Sequence, residues 1–161
     1  MDSDEKIQAH LLSIWLGEKK LFSKSKECMF FLTNKHVMFV SKTEMTTNWW
    51  KPAVQRQIMQ LMKNPDDTML IHDGYSEKNL ALDLENEKNM VFTFDDVIDV
   101  SSEEKAWGSV LLLKLRDGEK ERKFELSIVK DWVTYPVRDP VKFLKVSWAP
   151  IVDYIKSKVE K

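Results

Sequence analysis

Residues 28–42, CMFFLTNKHVMFVSK, constrain this chain more than any other stretch. Two apolar runs, Met29 to Leu32 and Val37 to Val40, flank the polar Thr33-Asn34-Lys35. Three polar residues suffice for a tight reversal, and Asn tolerates the left-handed backbone such turns often need. The stretch predicts an antiparallel hairpin. On a period of two, Phe30, Leu32, Val37 and Phe39 share one face, and Phe31 and Met38 point to the other. Apolar residues on both faces predict a hairpin covered on both sides.

Strand patterns recur on either side of it. Lys19 to Ser23 reads as a short strand, and so do NLALDLE, MVFTF and VIDVS further along. In NLALDLE, Leu80, Leu82 and Leu84 alternate with Ala81, Asp83 and Glu85. SVLLLKLR and RKFELSIV flank Asp117-Gly118, a strong hairpin signal. The count comes to seven or eight strands joined by short turns.

Three segments read as helices. In residues 4–16, Ile7, Leu11, Ile14 and Trp15 form one stripe, with acidic residues at the start and Gly17 as the stop. In 47–63, Trp50, Val54, Ile58, Leu61 and Met62 share a face. Thr47 or Asn48 caps its start, Pro52 is tolerable in the first turn, and Asn64-Pro65 ends it. The tail, 139–159, places Asp139 at the N-cap and Pro140 first in the helix, with a stripe from Val141 through Leu144, Trp148 and Ile155 to Val159. Pro150 predicts a kink or break near Trp148.

Composition narrows the function. A length of 161 residues supports one domain with a real core, and 43% hydrophobic with 32% charged residues describes a globular chain. A net charge of −1 lacks the basic excess of most nucleic-acid binders, so no nucleic-acid partner is expected. The lone Cys28 implies a reducing compartment, the N-terminus is acidic where a secretory signal is basic, and no apolar run spans a bilayer. The expectation is a cytoplasmic protein, soluble or peripheral to a membrane.

Two stretches carry a family resemblance. GEKKLF…CMFFLTNKHVMFVS resembles the opening of GRAM and bacterial pleckstrin-homology (PH)-like domains, and FTFDDVIDVSSE is similar to their next piece. The resemblance covers roughly residues 17–42 and 90–159. It implies a mainly β, α+β fold: a partly open seven-stranded antiparallel barrel capped by a C-terminal helix, with Trp148 where eukaryotic PH domains carry a helix Trp. To that frame this chain adds the 4–16 helix and the helical insertion. The strands then fall within 18–42 and 78–129, and residues 1–161 form a single PH-like domain. The insertion at 43–78 departs from the family pattern and bears on the ligand surface.

Three sets of site residues follow. Lys19, Lys20, Lys24 and Lys26 bracket the first strand pair, where PH domains that bind phosphoinositides hold phosphates. The plainer reading is a solvated edge whose lysines discourage strand pairing. Trp49 and Trp50, with Met45, Met59 and Met62, offer a membrane or partner face on the inserted helix. The plainer reading there is a helix docked on its own barrel. Trp107 is an apolar residue in a polar turn and a third contact candidate. His10, His36 and His72 lack metal-ligand spacing, and no nucleophile, phosphate-loop or acid–base motif appears, so no metal, cofactor or enzymatic activity is expected. The favoured function is a non-enzymatic binding module for a protein partner, at a membrane surface or away from one. The alternatives are an anionic-lipid headgroup held by the lysines, or a small apolar ligand inside the barrel. Self-association stays open.

Overall fold

The computed structural model describes residues 1–20 and 24–160. Among them, strands β1 (Ile7–Glu18), β2 (Lys26–Thr33) and β3 (His36–Val40) come first. Helices α1 (Thr47–Lys63) and α2 (Glu77–Asp83) follow, then β4 (Met90–Thr93) and a single 3-10 turn at Phe94–Asp96. Strands β5 (Val97–Lys105), β6 (Gly108–Asp117), β7 (Lys120–Val133) and β8 (Asp139–Phe143) precede helix α3 (Ala149–Val159). The sheet runs β4-β3-β2-β1-β7-β6-β5, with β8 added on the end of β7. Every pairing is antiparallel. β4 and β5 follow each other in the chain yet end opposite edges of the sheet, so the barrel stays open between them. Helix α3 lies against β5 and the 3-10 turn and covers that opening. Its approach carries Trp148, 1% exposed, and its inner face carries the fully buried Ile151 and Ile155.

The expected hairpin is present in the expected register: Phe30 faces Phe39, Phe31 faces Met38 and Leu32 faces Val37. One face looks into the barrel, where Phe39 meets Phe124 of the non-adjacent β7 at 5.1 Å and Phe92 of β4 at 6.1 Å. On the other face Phe31 stacks on His10 at 4.1 Å and meets Tyr75 at 5.3 Å. The segment between β3 and β4 thus covers the outside of the sheet, which is why these strands read as unbroken apolar runs. Helix α1 has the expected 47–63 bounds and docks on its own sheet through Ala53, Val54, Gln57, Ile58 and Leu61, but its N-cap is Thr46, with no side-chain cap from Thr47 or Asn48, and Met62 of the expected stripe is exposed.

Other readings change. Residues 4–16 are not helical: Ile7–Glu18 is β1, paired with β2 and β7. Leu11, Leu12, Ser13 and Ile14 are all fully buried, because both faces of this strand are covered. Ser13, at φ 55°, sits in a bulge that shifts the register between Leu11 and Ile14. Covered faces and a bulge together erase the period of two. NLALDLE contributes to α2 rather than a strand. A capping box between Ser76 and Asn79 starts that helix, and the buried Asp83 anchors it by accepting bonds from the Tyr75 and Thr43 hydroxyls at 2.6 and 2.7 Å. The tail splits: Asp139–Phe143 is β8, and the helix begins at Ala149 with Pro150 in its first turn. Pro140 lies in the outer strand opposite Trp132 rather than at a helix start. The strand expected at Lys19 to Ser23 extends outside the described residues.

The inserted segment also finishes an edge. Among the described residues, the Ile7–Leu11 half of β1 has a strand partner on one side only, β2. On the other side the His10 N–H donates to the Leu70 carbonyl at 2.7 Å, the Ile7 N–H donates to Glu77 Oε2 at 2.9 Å, and Leu12 is bound by Gln57. Residues of the 43–88 connection therefore stand where another strand would pair.

Candidate functional site

The mouth of the barrel between β1 and β2 gathers positive charge. Lys20, Lys24, Lys26 and Arg122 line a cleft of about 310 Å³ whose apolar base is Leu16, Met90 and Phe124. The carboxylate there is Glu18, which accepts from Arg122 Nε and Nη2, both at 2.8 Å. That fork holds the Glu18 carboxyl below its ordinary range and pushes the Arg122 guanidinium up. Lys20 Nζ lies 3.6 Å from Glu18. Among the described residues, Lys24 and Lys26 have no ion-pair partner. Arg122 is also paired with Asp117 beside the cleft, at 3.0 Å, so the uncompensated charge of the cleft is that of Lys24 and Lys26.

Three of the four lysines singled out from the sequence thus meet in one place. Lys19 does not: it pairs with Glu125 at 3.1 Å and lines a separate depression. Arg122 was missed by the sequence reading. Its membership follows from β7 lying beside β1, with Glu18 opposite Phe124 in a register joining residues far apart in the chain. The nearest signal was its position just after the Asp117-Gly118 turn.

The tryptophans separate. Trp49 is held in the fold: its ring lies near His10 and Tyr75, at 6.1 and 5.8 Å, and its Nε1 donates to the Asp73 carbonyl at 2.9 Å. Trp50 is half-buried and lines a groove beside the start of α1 together with Trp132. Trp107 is 52% exposed in the β5–β6 turn, its ring resting on Phe143 at 5.1 Å. Met45 packs on the core, whereas Met59 and Met62 are exposed.

A buried polar cluster lies under α1. The His72 Nε2 sits 3.0 Å from Gln57 Oε1, and the His10 and His72 rings meet edge-on at 5.1 Å. Burial, with Arg56 nearby, lowers the His72 pKa to about 4, and burial holds His10 well below its usual value. Among the described residues no group of three or more His, Cys, Asp or Glu converges to hold a metal ion. Cys28 is buried, and burial pushes its thiol up, so the reactive thiolate is disfavoured. Among the described residues no helix is long and apolar enough to cross a membrane.

A scan against protein-family models finds no match, and neither does a search of curated proteins. The structure is similar to a solved one titled "Vps36 N-terminal PH domain", with a TM-score of 0.50 and 12% identity. The match covers 99% of this chain and 83% of that one. With its open antiparallel sheet order and the C-terminal helix across the gap, the chain has a PH-like fold.

Proposed function

We propose that this chain is a non-enzymatic PH-like binding module that takes an anionic, phosphate-bearing headgroup at the β1–β2 mouth and works in the cytoplasm at the membrane periphery. The observation that carries this reading is the convergence of Lys20, Lys24, Lys26 and Arg122 on one cleft. Each lysine near an anionic surface contributes about 1 kcal/mol, so the unpaired Lys24 and Lys26 supply roughly 30-fold in affinity, and Lys20 adds less while it faces Glu18. The apolar-ligand alternative lacks comparable support, because Phe30, Phe39, Phe92 and Phe124 meet ring to ring inside the barrel.

Flotation tests the reading. The protein is mixed with vesicles of phosphatidylcholine alone, or with added phosphatidylserine or a phosphoinositide, at about 0.05 and 0.5 M salt. Binding to the anionic vesicles that falls with salt is expected. Equal flotation with neutral vesicles, or none with anionic ones at low salt, overturns it. Competition by soluble inositol phosphate separates recognition of the headgroup from general surface attraction.

Protein contact is the second reading. It is favoured by the half-exposed Trp107 and by Trp50 in its groove. Trp107→Ala would then weaken capture of a partner while leaving a cooperative melt.

A further inference from the structure

The groove beside α1 has a volume of about 820 Å³, within the range of sites that enclose a few side chains. Trp50, Pro52 and Val54 from α1 form one wall and Trp132 from β7 the other. Trp132 is fixed from three sides. Its Nε1 donates to Ser13 Oγ at 3.0 Å, the Arg138 guanidinium lies 3.7 Å above the ring, and Trp15 meets it edge-on at 5.8 Å. Ser13 Oγ in turn donates to Glu27 Oε2 at 3.1 Å, and Glu27 is ion-paired with Arg138. The polar groups around Trp132 therefore satisfy one another, and the indole is pre-organised without an occupant.

Charge selects the occupant. Glu27 and Arg138 neutralise each other, whereas Lys51 on the rim has no ion-pair partner among the described residues. The groove is thus apolar with one uncompensated cation. A nucleic-acid strand would want several phosphate contacts, which one lysine does not supply. A protein segment needs less: one large apolar side chain against the two indoles and one carboxylate at the rim.

We propose that this groove binds a short extended segment of a partner protein, placing an aromatic or leucine side chain against Trp50 and Trp132 and an acidic residue against Lys51. The proposal rests on the protein-contact reading above and gives it a site and a partner chemistry.

The test uses the full chain and two capped decapeptides, each with a central Phe-Leu pair, one flanked by Asp and Glu and the other by Lys. The tryptophan indole signals are followed by NMR, together with the backbone amides of Lys24 and Lys26. The acidic peptide is expected to shift the Trp50 and Trp132 signals and to bind at least tenfold more tightly than the basic one. Lys51→Glu, at an exposed position, is expected to remove that preference while the melt is unchanged, and Trp50→Ala to weaken both peptides. Equal binding of the two peptides, or no effect of Lys51→Glu, overturns the proposal. Shifts confined to Trp107 overturn the groove and leave protein contact standing. Shifts confined to Lys24 and Lys26 assign the acidic peptide to the basic cleft and also overturn it. If neither peptide moves any of the followed signals, the groove and the protein-contact reading fall together.

Discussion

Gln57 satisfies both backbone groups of Leu12. Its Oε1 accepts the Leu12 N–H at 2.7 Å and its Nε2 donates to the Leu12 carbonyl at 2.8 Å, with both residues fully buried. A side-chain amide carries the same donor and acceptor as a peptide group, so one residue of α1 replaces one residue of a missing strand. Gln57→Leu keeps the volume roughly constant but orphans both groups. Each of the two orphans costs about 1–3 kcal/mol, so a loss of roughly 2–6 kcal/mol is expected from urea unfolding. A loss under about 0.5 kcal/mol would show that water reaches Leu12 and that the edge is not sealed.

The same cluster sets a pH dependence. The folded pKa of His72 is lowered to about 4 from an ordinary 6.5, and that of His10 is lowered too. Between those values the unfolded chain holds a proton that the folded chain rejects. The His72 contribution to stability is therefore fully present above about pH 6.5 and is lost as pH falls toward 4, at about 1.4 kcal/mol per pH unit, and His10 acts in the same direction. Urea midpoints at pH 7 and pH 5 measure this. His72→Gln is expected to lower stability at pH 7 yet to flatten the slope. An unchanged slope would place the acid sensitivity elsewhere.

The hairpin was legible because a short polar turn separates two apolar runs, and α1 because its local helical period is uninterrupted. β1 was not, for a reason outside its own residues. Its outer face is covered by a segment more than thirty residues away, so apolar residues fall on both faces, and Ile7, Leu11, Ile14 and Trp15 among them mimic a helical stripe. In NLALDLE the alternation was real but irrelevant: Leu82 is 56% exposed, and the Ser76–Asn79 cap decides the element. For the cleft, the lysines were visible as a local cluster. Arg122 and the turning away of Lys19 depend on the β1–β7 pairing, which no local pattern encodes.

Two glycines with positive φ should respond differently to alanine. At Gly118, φ +66°, an added Cβ meets nothing within 4 Å, so only backbone strain of about 1 kcal/mol is expected. At Gly74, φ +86°, the Cβ would lie 2.7 Å from Trp49 Nε1. Gly74→Ala must displace that indole and its bond to Asp73, for a total of about 3 kcal/mol. Thermal melts of the two variants give the comparison, and equal losses would mean Trp49 moves freely.

The lysines provide an internal control. Lys24→Glu and Lys26→Glu reverse charge inside the cleft, whereas Lys19→Glu acts outside it. The first two together are expected to lower flotation with acidic vesicles by well over tenfold, and Lys19→Glu by less than about threefold. Equal effects would reduce the cleft to a diffuse surface charge.

The two halves of β1 are completed at different times during synthesis. Its far half waits for Phe124 to Ile128, more than a hundred residues downstream. Its near half needs only Gln57, Leu70 and Glu77. At about 5–20 residues per second, those arrive several seconds before the β7 residues leave the ribosome. The β3–β4 connection thereby closes the Ile7–Leu12 edge while the Ile14–Glu18 edge still waits for β7.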